Sequence, residues 1–481
     1  VLDYYPGFND TINYVLYKII SAVIGSKFLV EIKHFINYVF SSFGILGLYF
    51  VNKKIFNKDI AIISCALALF NPFFFGNIGI NPKDPIIFFA FIWSIYFLLQ
   101  YLDNIQDKRF SYLFYLSFFL GLGTSIRLSF VSILIPIFFS SLIYIWIKTK
   151  DFKKVILDFI LLSTIAFVIT ISCWPHFLDG NYNIIFETLG KSSNWNIDKL
   201  YGILNGEFYE IQNTPKDYFL TIFIHRMPIY INILFLFGIY LSISKNVFFK
   251  NNTNSNFINY FCHLMALILF PIFLLIIVGA NLYDNFRLVL FILPLISTVC
   301  AIGLYYIIFN FPVFKISTKI INLSVLLFFI IFLFRFLLLT PYQQSYVNYL
   351  NSPIFSDAKD KFEYDYMATS YKELLKKIKK KYGYKNTKNL KIGMCNGTTL
   401  THGYYWPLIL GNNNTYKYPH IADYIVMTNR SLDQHLHYLI INNVNYIDER
   451  KINCTKKYSG KDLIVVERMG LVLSTFRKLD K

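Results

Sequence analysis

The sequence predicts a polytopic α-helical membrane protein that ends in a small α/β domain, and three observations carry that expectation. Hydrophobic residues make up 55% of the 481 and charged residues only 15%, less charge than a soluble chain of this size carries. The apolar residues come in blocks long enough to cross a bilayer, and mean hydropathy is +0.46. The formal net charge of +18 sits largely in short loops beside those blocks, where lysine sets orientation and meets anionic lipid headgroups. That placement reads the charge as topology, with a lipid bilayer and not nucleic acid as its partner.

A window of roughly twenty residues gives about ten spans, near 35–52, 58–75, 86–102, 111–126, 129–147, 155–174, 218–243, 258–279, 287–309 and 319–340. Gly44, Gly47, Gly121 and Gly123 would let these helices approach closely in lipid. Residues 1–34 read as an outer loop whose segment 11–24, TINYVLYKIISAVI, is an interfacial helix. Residues 35–340 form the membrane domain, and 341–481 the α/β domain. There, SYKELLKKIKKKYG is expected to be a helix with a capping box between Ser370 and Glu373. The stretches 390–395, 422–428 and 462–467 read as strands.

Lysine and arginine set the sidedness. Lys53, Lys54 and Lys58, then Lys108 and Arg109, then Lys148 to Lys154, Lys245 and Lys250, and Lys315 and Lys319 share one side. Lys83, Arg127 and Arg287 stand alone in the alternating loops. The positive-inside rule puts the crowded set in the cytoplasm. The corner NPKDP, the 175–217 loop and everything after 340 then face outside. The opening VLDYYPGFND would be outside too. It lacks a leader of its own and does not begin with Met, so an upstream helix is expected.

Of the six cysteines, Cys65, Cys173, Cys262 and Cys300 fall in or beside apolar runs and read as packing residues. Cys395 and Cys454 lie in the outer polar region, where an oxidising compartment permits a disulfide; two buried free thiols are the alternative. His435 and His437 lack a third ligand for zinc.

Ionisable residues near a bilayer core default to functional candidates. On the outer side the set is Asp3, Lys83, Asp84, Arg127, His176, Asp284, Arg287 and Arg335. Each has a plainer reading. Asp84 opens a span and could cap its N–H groups, Arg127 and Arg335 could snorkel, and Asp284 with Arg287 could be an i,i+3 helix pair. Asp158, near the opposite end of its span, reads as structural. Taken together, carboxylates beside fixed cations suit an acceptor hydroxyl attacking a lipid-linked phosphosugar. One carboxylate would take the proton. Arginine, lysine or a divalent metal at Asp84 would meet the charge developing on phosphate. No P-loop or GxGxxG fingerprint is present. A transporter or lipid flippase is the alternative from another class, and it would place charges and helix breaks near mid-membrane. This chain gathers its charges at one face.

The order of NPKDP at a span start, GTSIR between spans, WPHF opening a long loop, YDNFR before a span, then PYQQSYVNYLN and FEYDYMATSYKELL resembles glycosyltransferase family 39. These are GT-C membrane glycosyltransferases akin to protein O-mannosyltransferases and the aminoarabinose–lipid A transferase. The resemblance implies a polyprenyl-phosphate sugar donor used on the non-cytoplasmic face, in a bacterial plasma membrane the periplasmic side. The acceptor is a protein, lipid or glycan. It implies that Asp84 holds donor phosphate or metal, and that Arg127 and Arg287, with Lys83, contact the phosphate. His176, Tyr283, Asp284 and Arg335 would support them. The base would be an acid in the first outer loop, for which Asp3 is the nearest carboxylate.

Overall fold

The computed structural model describes residues 7–25, 28–104, 109–193, 201–310, 318–348, 361–363, 365, 368–387, 389–395, 404–411, 421–428 and 454–480. The chain divides into two compact units. The first comprises Val1–Asn196, Tyr230–Val278 and Arg287–Leu326; the second comprises Ile197–Ile229, Gly279–Phe286 and Leu327–Lys481. The second therefore takes in the end of the 175–217 loop and the turn before Arg287, beyond the 341–481 segment expected from composition.

The first unit is helical. Its elements are α1 (Phe8–Ile24), α2 (Leu29–Ile55), α3 (Lys58–Leu69), α4 (Pro72–Ile80), α5 (Asp84–Asp103) and α6 (Arg109–Thr124). A 3₁₀ turn, Leu128–Leu134, leads into α7 (Ile135–Thr149), then α8 (Phe152–Ser172), α9 (Pro175–Leu178) and α10 (Ile184–Ser193). Among the described residues six helices are long and apolar enough to cross a membrane, or up to eight elements if each bent pair counts as one span. The expected span 58–75 is one of the bent pairs, α3 and α4, broken by 68°. Asn71 causes the break: it caps α4, accepting from the Phe73 and Phe74 amides at 3.1 and 3.2 Å, and Pro72 follows at the first helical position. Helix α6 is shorter than a full span.

Close approach is where the glycines matter. A Cβ on Gly44 would lie 2.6 Å from Phe88, and one on Gly47 2.8 Å from Ile92. These positions let α2 lie against α5. Buried polar side chains add links that lipid favours. Asn52 donates to Ser64 Oγ at 2.8 Å and Thr298 Oγ1 at 2.9 Å, joining α2, α3 and the helix Ile292–Asn310. Asp158 is structural, as read. Arg109 Nε donates to its two oxygens at 2.7 and 2.8 Å and the Tyr101 hydroxyl to Oδ2 at 2.5 Å. That cluster ties α5, α6 and α8 with no buried charge unpaired.

In the second unit a hairpin, β1 (Tyr201–Leu204) with β2 (Glu207–Glu210), precedes the helix α11 (Tyr218–Arg226). The C-terminal sheet has the order β3 (Ile392–Cys395), β4 (Tyr424–Thr428), β6 (Leu471–Leu479), β5 (Gly460–Arg468). β3 and β4 are parallel and the remaining pairs antiparallel. Three strands fall where the sequence put them; β6 and the β1–β2 hairpin are additions. Cys395 and Cys454 are bonded, with Cα atoms 6.0 Å apart.

The expected capping box does not form on the helix Tyr371–Thr387. Ser370 Oγ donates to Asp365 Oδ2 at 2.5 Å, while Glu373 accepts from Arg468 at 2.6 Å and Tyr342 at 2.9 Å. Charged and phenolic donors win the Glu373 carboxylate because they bind it more strongly than one amide does. Burial alone would raise its pKa, but hydrogen bonds from Arg468, Lys377 and Tyr342 outweigh that and hold it below the usual carboxylate range. The motif PYQQSYVNYLN has a structural part in this unit. Asn348 donates to the Ile224 and Met227 carbonyls, satisfying the end of α11, and the Gln344 carbonyl accepts from buried Arg226 at 2.9 Å.

Candidate functional site

NPKDP forms the corner between α4 and α5, and its asparagine does the work expected of its aspartate. Asn81 Oδ1 accepts from the Lys83 and Asp84 amides at 3.1 and 3.2 Å, an Asx turn that starts α5. Asp84 makes no capping bond; its carboxylate is therefore free to turn inward. Asn81 Nδ2 donates to Asp84 Oδ2. Asn81 is itself fixed from α2, where Asn37 Nδ2 donates to the Gly79 and Asn81 carbonyls at 3.0 and 3.1 Å.

Asp84 is 2% exposed. An ionised carboxylate there is tolerable only if paired, and two arginines pair it. Arg127 Nη2 lies 2.5 Å from Oδ1 and Arg287 Nε 3.5 Å from Oδ2. Arg127 sits in extended backbone between α6 and the 3₁₀ turn, and its Nη1 donates to the Leu288 carbonyl at 3.3 Å. Arg287 opens a 3₁₀ turn just before the helix Ile292–Asn310. Both side chains keep about a fifth of their surface exposed (22% and 20%) while they pair Asp84. Neither the helix cap for Asp84 nor simple snorkelling for Arg127 describes this arrangement.

Lys83 joins them, half-buried. Burial lowers its pKa first, Arg127 and Arg287 lower it further, and Asp10 and Asp84 oppose that; the net shift is downward. Asp10 is the strongest of these charges on Lys83, and the sequence reading passed over it. It stands in the first turn of α1, seven residues after Asp3, which lies outside the described residues. The start of α1 is pinned: the Gly7 amide donates to the Cys173 carbonyl at 2.8 Å, and a Cβ on Gly7 would meet Pro175 at 3.1 Å. The signal was legible, an acid in the same outer segment at the head of an amphipathic helix.

His176 is half-buried on α9, in the same unit. Tyr283, Asp284 and Arg335 belong to the second unit. The helix expected over Asp284–Arg287 is absent. Asp284 and Asn285 both take left-handed backbone, φ 55° and 61°, which breaks any helical i,i+3 spacing. Asn285 is held there by its amide donating to Tyr218 Oη at 3.0 Å.

Among the described residues no further ligand joins Asp84 to make a metal site. Its oxygens already take N–H donors from Arg127 and Asn81, and its charged neighbours are cations. No group of three His, Cys, Asp or Glu suited to a metal occurs among the described residues.

An apolar cavity of about 500 Å³ lies between α5, α6, α7 and α8. Leu116, Leu120, Ile145 and Leu162 line it together with Tyr101, Asp158, Thr124, Leu128 and Trp174. Leu128 is the residue after Arg127, while the charged residues of the cluster do not line it.

Residues 14–175 match the family model described as dolichyl-phosphate-mannose-protein mannosyltransferase. No curated protein matches the chain. Among solved structures, the apo oligosaccharyltransferase of Archaeoglobus fulgidus aligns at 12% identity and TM-score 0.43, over 89% of this chain and 63% of its own. The Archaeoglobus fulgidus enzyme in complex with an inhibitory peptide and a dolichol-phosphate aligns at 13% and 0.42, over 88% and 58%. The chain thus spans less than two thirds of the length of these proteins, and nothing below rests on them. Over residues 14–175 the chain is similar to the dolichyl-phosphate-mannose-protein mannosyltransferase family.

Proposed function

We propose that the chain transfers a sugar from a polyprenyl-phosphate carrier to an acceptor hydroxyl at the non-cytoplasmic face of the membrane, in a bacterium the periplasmic face. The observation that carries this reading is the convergence of Arg127 and Arg287 on one buried carboxylate, with Lys83 next to it in the chain. Two arginines against one carboxylate leave positive charge for a phosphate. The family match over 14–175 supports it, and the apolar cavity between α5, α6, α7 and α8 suits a lipid chain. The Cys395–Cys454 bond supports an oxidising side for the second unit.

In this reading the acceptor oxygen attacks the anomeric carbon, and the carbon–oxygen bond to phosphate breaks. Polyprenyl phosphate leaves with the bonding electron pair, and the acceptor proton passes to Asp10. Arg127, Arg287 and Lys83 meet the charge that grows on the phosphate. Asp84, its lone pairs occupied, orients the two arginines rather than acting as base. No step passes through a metal. The acceptor hydroxyl belongs to a protein, lipid or glycan.

Binding of a polyprenyl monophosphate to the full-length protein in nanodiscs tests the phosphate site. Arg127→Gln and Arg287→Gln are each expected to weaken it by about tenfold, roughly the worth of one hydrogen bond to a charged group. Unchanged affinity in both variants would remove phosphate from this cluster.

A further inference from the structure

Two buried asparagines on α2 do different work. Asn52 joins helices through the side chains of Ser64 and Thr298. Asn37, which is 2% exposed, grips backbone instead. Its Nδ2 donates to the Gly79 and Asn81 carbonyls at 3.0 and 3.1 Å, groups that the end of α4 would otherwise leave without partners. The end of α4 comes close enough because Gly79 has no side chain; a Cβ there would lie 2.6 Å from the Tyr38 ring. From Asn81 the hold passes to a charged group. Asn81 Oδ1 makes the turn, and Nδ2 donates to Asp84 Oδ2. Oδ2 is also the oxygen that Arg287 faces, at 3.5 Å, whereas Arg127 takes Oδ1 at 2.5 Å. The Arg287 pair is the looser of the two, so it depends more on where Asn81 holds Oδ2. Asn37 itself hydrogen-bonds neither Asp84 nor an arginine.

We propose that Asn37 is a positioning residue for the donor-phosphate site, acting through Asn81 and Asp84 Oδ2 on Arg287 more than on Arg127. This rests on the reading above that a phosphate meets these arginines. The oxygen shared by Asn81 and Arg287 gives the relay its direction, and every member of it lies in the first unit.

Asn37→Ala removes both donated bonds and adds no bulk beside the corner. In the full-length protein in nanodiscs it is expected to weaken binding of geranylgeranyl monophosphate about fivefold. Added to Arg127→Gln, the same change should again cost about fivefold. Added to Arg287→Gln it should cost less than about twofold, because the route to the phosphate is already cut. Asn52→Ala is the comparison for mere helix joining: it should lower the melting temperature, as Asn37→Ala does, and leave the affinity alone. Should Asn37→Ala fail to fold, Asn81→Ser decides. It keeps an oxygen for the turn, loses the donor to Asp84, and is expected to couple to Arg287→Gln and not to Arg127→Gln. Equal loss of affinity in Asn37→Ala and Asn52→Ala would overturn the proposal, and so would coupling no stronger to Arg287 than to Arg127. Wild-type affinity that Asn37→Ala leaves unchanged overturns the role of Asn37 alone. Wild-type protein that binds no geranylgeranyl monophosphate overturns the donor reading and the role of Asn37 with it.

Discussion

Asp10→Asn in the full-length protein is expected to lower sugar transfer by about 10²–10⁴-fold, the usual contribution of a positioned general base, while leaving donor binding intact. Asp10 is solvent-exposed in the first turn of α1, so an isosteric amide disturbs little packing. The lost charge at a helix start costs about 0.3–1 kcal/mol, too little to unfold the chain. Turnover and polyprenyl-phosphate affinity should therefore separate: the first collapses and the second holds. A variant that keeps most of its turnover would exclude Asp10 as the base and return that role to an acid nearer the start of the chain.

Asp84→Asn is expected to act differently. The two guanidinium groups would face a neutral amide in a buried place, lose their common anchor and drift from the phosphate position. Transfer should fall by about 10²-fold or more, the scale for removing preorganised charge stabilisation, and donor affinity should fall with it. Breaking a buried ion pair costs about 3–5 kcal/mol. Here the loss should be nearer 2 kcal/mol, because the arginines left behind are a fifth exposed and partly screened. Turnover, donor affinity and thermal unfolding of this variant check all three. Retained turnover would show that Asp84 is only a packing residue at the corner. Comparison with Asp10→Asn separates a base from an orienting anion, since only Asp84→Asn should weaken donor binding.

The helical membrane character was legible because apolar blocks report it directly. What periodicity could not report were local events decided by single side chains. Asn71 breaks the expected 58–75 span by capping α4, and hydropathy does not see a cap. In NPKDP the sequence drew attention to Lys83 and Asp84, yet the turn is made by Asn81 and secured by Asn37 from α2. That second partner lies 44 residues away, beyond any local pattern. The Ser370–Glu373 capping box failed for a similar reason. Its spacing was right, but Arg468, 95 residues on, competes for the glutamate. Strand β6, LVLSTFRKL, carries Arg477 and Lys478 at its end and was not among the expected strands; pairing with both β4 and β5 makes it central. Tertiary context decides such strands more than intrinsic preference does. Asp10 was in plain view, and only the fold of α1 onto Cys173 brings it into range of Lys83.

The most direct measurement is of donor class. Membranes holding the full-length protein would be given one sugar on two carriers, polyprenyl monophosphate and a nucleoside diphosphate, with label in the sugar and in the polyprenyl chain. The expected result is transfer only from the polyprenyl carrier, with polyprenyl phosphate released mole for mole and both signals lost in Arg127→Gln. Transfer from the nucleotide carrier, or polyprenyl-dependent transfer that survives Arg127→Gln, would contradict sugar transfer at the Asp84–Arg127–Arg287 cluster.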